Sequence, residues 1–159
     1  MKPTLLIFPL MLFSLVAFAD ADAVKTVAAT DIVTKTSPYS VAETMNKFES
    51  IVKTKGLEVF ARIDHQQNAK AAGMEMNAAQ VLIFGNPKTG TPLMQQDAAV
   101  ALDLPMRVAV YADKAGDVHI AYHAPDSLAV NFELKDSAVL PQLADALNKL
   151  TAAAITTTP

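Results

Sequence analysis

The sequence has no cysteine, which removes disulfides, thiolate nucleophiles and zinc–thiolate sites from consideration together. It also lacks a strong excess of either charge, with 13 Lys and Arg against 16 Asp and Glu. So balanced a chain carries no basic field for nucleic acid and no pull toward an acidic surface. No internal repeat, low-complexity linker or break in composition divides it, so one domain is expected. No Ser-His-Asp order, paired-carboxylate spacing or zinc signature stands out. Nor does any apolar run reach the roughly 20 residues that a membrane-spanning helix needs. The longest, Leu5 to Phe18, is interrupted by Pro9 and Ser14 and is followed by Asp20 and Asp22.

What that run does fit is a secretory signal. Lys2 supplies the positive start, Leu5 to Phe18 the apolar stretch, and Ala17-Phe18-Ala19, Ala19-Asp20-Ala21 and Ala21-Asp22-Ala23 the small residues a peptidase requires. The expected organisation is a signal peptide over 1–23, a leader over 24–30, one domain over 31–155 and a loose tail over 156–159. Cleavage between Ala19 and Val24 would put a chain of 136 to 140 residues in the periplasm or outside the cell, with no membrane contact left. That length is enough for a real core.

Asp31 to Thr36 alternates as a first strand, and Pro38 stops it. Ser40-Val41-Ala42-Glu43 has the form of a capping box, and Val41, Met45, Phe48 and Val52 recur behind it at helical spacing as far as Gly56. Glu58 to Asp64, Gln80 to Phe84, Met106 to Ala112 and Val118 to His123 read as four strands, the last two joined by a turn centred on Ala115. Short helices are expected over Gln66 to Ala72 and from Thr91-Pro92, with Thr91 as N-cap. Leu140, Leu143, Leu147 and Leu150 mark a closing amphipathic helix. The order β-α-β(4)-α predicts an α+β fold: a single sheet with its helices packed on one face. Strict alternation would turn Val59, Ala61 and Ile63 toward the helices. Phe60, Arg62, Arg107, Tyr111, His119 and His123 would fall on the other face.

Val59-Phe60-Ala61-Arg62-Ile63-Asp64-His65, Phe84-Gly85-Asn86-Pro87-Lys88-Thr89-Gly90-Thr91-Pro92-Leu93-Met94 and Ala101-Leu102-Asp103-Leu104-Pro105 together resemble the domain of unknown function 302 family. The similarity runs in order from about Ile32 to Leu150. The resemblance implies a TATA-binding-protein-like β-α-β(4)-α fold and a homodimer, and no particular activity.

Gly85 to Thr91 is a P-loop in outline but lacks the lysine after its second glycine, so nucleotide binding is rejected. A strand leading through a Gly/Pro loop into a helix start remains a place where free amides and Lys88 could meet an anion. If the two strands on either side of Gln66–Ala79 ran parallel, their C-terminal ends would share one edge. His65, Asn86, Lys88, Thr91 and Met94 would then line one pocket for a small-molecule ligand. The leading expectation is a non-enzymatic binding domain with no resident cofactor and no metal. An enzyme using His65 as general base is one alternative. Another is haem or copper bound through methionines such as Met74 and Met76, although Met45 and Met106 fall on core faces.

Overall fold

The computed structural model describes residues 31–134 and 138–157. The segments expected to be a signal peptide and leader, and the last two residues of the expected tail, lie outside them. The fold is α+β. Strands β1 (Ile32–Ser37), β2 (Glu58–Asp64), β3 (Ala79–Gly85), β4 (Met106–Ala112) and β5 (Val118–His123) form one sheet in the order β1-β5-β4-β3-β2, with every neighbouring pair antiparallel. The hairpin joining β4 to β5 is centred on Ala115 as expected, pairing Tyr111 with His119.

Helix α1 (Val41–Thr54) starts at the predicted capping box: the Ser40 hydroxyl accepts from the Glu43 amide, and Glu43 reaches back to the Ser40 backbone. Its buried stripe of Val41, Met45, Phe48 and Val52 packs with the Leu147 and Leu150 side of α5 (Val139–Ile155) over the sheet residues Leu82, Phe84, Val108, Val110, Ile120 and Tyr122. Phe48 meets Phe84 edge-on at 5.3 Å between centroids. Lys35 ties β1 to α5 through three acceptors, the Asn148 carbonyl, its Oδ1 and the Thr151 hydroxyl.

A second, smaller apolar cluster holds Leu93, Val100, Leu128, Leu134 and Leu140, with Leu104 packed against both clusters. It gathers α3 (Pro87–Gln96), the 3₁₀ turn Ala98–Leu102 and α4 (Asp126–Asn131) beside the start of α5. Neither the 3₁₀ turn nor α4 is foreshadowed in the sequence reading.

Two expectations about local structure are corrected. Helix α3 begins at Pro87, with Asn86 as its N-cap and Pro92 inside it, and does not begin at Thr91. Asn86-Pro87 carries the same cap-then-proline signature as Thr91-Pro92 and comes first in the chain. The second correction concerns β2, where the register slips between Val59 and Ala61, a bulge at Phe60. A bulge puts two residues against one and shifts the alternation by one step. Beyond it, Ala61 and Ile63 pair with Ile83 and Val81, which alternate with the buried Leu82 and lie on the sheet face away from α1. Arg62 is instead turned to the helix side, where its guanidinium reaches Asn46 at 2.7 Å and Glu49 at 3.0 Å.

Candidate functional site

The larger cavity is a groove of about 440 Å³ beside the C-terminal end of β3. The end of β3, with Phe84 and Gly85, forms its floor together with Met106 of β4. One wall is α3, through Thr89, Gly90, Thr91, Leu93 and Met94. The facing wall is α5, through Gln142, Leu143, Ala146, Leu147 and Leu150. Leu57, Phe60, Leu104 and Pro105 complete the lining. The groove therefore forms where the main core and the smaller cluster meet without closing on each other. A Cβ at Gly90 would stand in ordinary contact, 3.6 Å from Leu104 and 3.9 Å from Met94.

Of the five residues expected to share one pocket, the structure brings three together. Asn86, Thr91 and Met94 line the groove. Lys88 is exposed in the first turn of α3 and does not belong to the lining. His65 lies at the other end of the sheet, because β2 and β3 pair directly and run antiparallel. The connection through Gln66 to Ala78 makes no crossover to a parallel strand. Each strand is seven residues long, which separates the two ends by about 20 Å.

At its own end, the His65 region does structural work. Asp64 caps α2 (His65–Ala71) by accepting from the Gln67 amide at 3.0 Å, and its other oxygen accepts from Gln80 at 2.8 Å. The Gln67 amide, with Gln80 and the Arg62 charge adding to it, holds the Asp64 carboxyl below its ordinary range.

The anion cradle expected after Gly85 does not form either. Pro87 has no amide hydrogen. The Lys88 amide donates to Asn86 Oδ1 at 2.9 Å, and the Thr89 and Gly90 amides donate to the Asn86 carbonyl at 2.9 and 3.0 Å. The first turn of α3 thus consumes the amides that would have faced an anion.

Sequence reasoning missed the α5 wall and the Leu104-Pro105 segment. Leu143 and Leu147 carry the periodicity of a core stripe, and nothing in that pattern separates a groove wall from a packed interior. A smaller cavity of about 300 Å³, which shares Met106 with the groove, lies at the same end of the sheet toward β5 and β1, among Asp31, Asp103, Arg107, His123, Ser127 and Asn131 with others. There Arg107 and Asp103 already satisfy each other at 3.1 Å. Among the described residues no three His, Asp or Glu side chains are grouped to hold a metal ion, and no helix is long and apolar enough to cross a membrane.

Comparison with known proteins places this geometry in a family. The fluoride-specific ion channel FluC 1 of Brucella suis is 40% identical over 103 residues, which span 65% of this chain and 41% of that protein. The fluoride-specific ion channel FluC 2 of Brucella melitensis is also 40% identical over 103 residues, 38% of its length. The chain thus matches about two fifths of these curated relatives. Among solved structures, that of an uncharacterized conserved DUF302 protein from Bacillus stearothermophilus superposes with a TM-score of 0.62 at 20% identity. It covers 80% of this chain and 97% of that one, a likeness of fold. The profile of the domain of unknown function DUF302 matches residues 33–154, and the chain belongs to that family.

Proposed function

We propose that this chain is an exported, non-enzymatic binding domain that takes a small molecule into the groove between α3 and α5. The observation that carries the reading is the lining itself: a concave site of about 440 Å³ that is mostly carbon and, among the described residues, is lined by no carboxylate, imidazole, amine or guanidinium. That volume falls within the roughly 300–1,000 Å³ of small-molecule sites. General acid–base chemistry needs a positioned group with a usable pKa, and none is among the described residues of the lining. His65, the candidate base, is at the far end of the sheet from this groove.

Export rests on the sequence from Lys2 to Ala23. Assembly as a homodimer rests on the sheet face away from α1, where Phe60 is 48% exposed and Ala61, Ile63, Val81, Ile83, Ala109 and Tyr111 are half-buried. Five strands of six or seven residues present a face of about 24 by 20 Å.

We assign no fluoride conduction to this chain. The shared stretch is a minor part of the relatives that carry that name, and a conduction path has to cross the bilayer.

Titrating the purified protein with the uncharged fluorescent probe N-phenyl-1-naphthylamine tests the groove. Fluorescence should rise saturably, and Ala146→Trp, which projects an indole into the groove from an exposed position on α5, should suppress the rise. Equal binding by the variant would refute the assignment.

A further inference from the structure

The groove's chemistry narrows its ligand further. We propose that the occupant is an uncharged molecule with a hydrocarbon body and a hydrogen-bonding end, such as a neutral alcohol, ester or amide, and that carboxylate or ammonium analogues of the same skeleton are excluded. The inference rests on the groove being a binding site and adds the class of ligand it takes.

Two independent observations support it. The first is the lining, whose only polar side chains among the described residues are those of Asn86, Thr89, Thr91 and Gln142, none of which ionises. An ion carried in among Leu57, Leu93, Leu104 and Leu143 would lose hydration and meet no counter-charge among the described lining residues, which disfavours it against a neutral analogue. The second is the start of α3. A helix N-terminus beside a cavity is the usual way for an uncharged wall to hold an anion, and here its amides are already committed. Pro87 has none, and those of Lys88, Thr89 and Gly90 all donate to Asn86.

Asn86 spends its Oδ1 on the Lys88 amide, which leaves its NH2 group as the donor it can present to a ligand. An amide NH2 and two threonine hydroxyls match a hydroxyl or carbonyl oxygen. The carbon side chains of Phe84, Met106 and Leu147 match an alkyl or aryl body.

The test compares three molecules of one skeleton, octan-1-ol, octanoate and octylammonium, at neutral pH on the full-length protein. Binding is read by displacement of N-phenyl-1-naphthylamine and by calorimetry, with Ala146→Trp in parallel and its fold verified by circular dichroism. The alcohol should bind at least tenfold more tightly than either ion, and Ala146→Trp should weaken it at least tenfold. Octanoate or octylammonium binding as tightly as octanol, and lost in Ala146→Trp, would overturn the ligand class while leaving the groove as the site. Binding indifferent to Ala146→Trp, or no binding by any of the three, would overturn the groove itself. Thr91→Val gives a second reading, because it removes one hydroxyl from an exposed helix position: it should weaken octanol and leave octane unchanged. An equal loss for both molecules counts against a polar end.

Discussion

If the groove between α3 and α5 binds through its hydrocarbon lining, affinity must climb with the length of the ligand's chain and then stop. Each methylene moved from water into an apolar site contributes about 0.8 kcal/mol, or roughly a fourfold gain in affinity. From hexan-1-ol to nonan-1-ol the three added methylenes predict about 2.4 kcal/mol, close to 60-fold. The groove offers about 440 Å³, so the series should level off once that space is filled. Ala146→Trp occupies part of the space and should bring the plateau on at a shorter chain, with the early slope unchanged. Isothermal titration calorimetry across the homologues, at two temperatures, gives both the slope and the heat capacity change, which must be negative if apolar surface is buried. An affinity flat in chain length, or a plateau that Ala146→Trp does not move, would refute the reasoning.

Four further outcomes follow from the same structure. Ser37 and Thr44 share a buried hydroxyl–hydroxyl bond of 2.6 Å, and the Tyr39 amide also donates to Ser37. Ser37→Ala, which strands both partners, should cost about 2 kcal/mol in urea unfolding against about 1 for Thr44→Val, and the double variant should cost less than their sum. Additive costs would mean the pair is not coupled. Asp64 is held below its ordinary range by the Gln67 amide first, and Glu49 below its own by the Lys53 hydrogen bond first. Their contribution is therefore present above the unfolded pKa values of about 4 and lost as pH falls through the lower folded ones. The denaturation midpoint should drop on acidification below about pH 4, less steeply in Asp64→Asn, which keeps a capping side chain without the charge; an unchanged pH profile in that variant counts against the assignment. Replacing Phe60 and Tyr111 by Lys on the face away from α1 should turn a dimer into a monomer in sedimentation. A wild-type protein monomeric at every accessible concentration removes the dimer proposal. Mass spectrometry of the periplasmic fraction should find a chain beginning between Asp20 and Val24, and recovery of the chain with intact Met1 from the inner membrane would contradict export.

Much of the local structure is legible from the residues. The Ser40–Glu43 capping box, the hairpin about Ala115 and the Val41-Met45-Phe48-Val52 stripe all stand where their patterns put them. Each depends on groups within a few positions of one another, so the information lies in a short stretch of chain. The α+β class follows from element order for a related reason: strands and amphipathic helices in that sequence have few ways to bury their apolar faces.

What the sequence by itself left open is decided by contacts between distant segments. The bulge at Phe60 writes no mark into an alternating run, yet it sends Arg62 to Glu49 and turns Ala61 and Ile63 to the other face. The direct antiparallel pairing of β2 with β3, chosen by the packing of the whole sheet, separates His65 from Asn86 and dissolves the five-residue pocket into a three-residue remnant. The groove itself exists because α3, gathered into the smaller cluster with Val100 and Leu128, and α5, gathered into the larger with Phe48 and Leu82, approach without closing. A one-dimensional pattern records which residues avoid water. Where two such surfaces stop short of each other is fixed only by the shapes they make once folded.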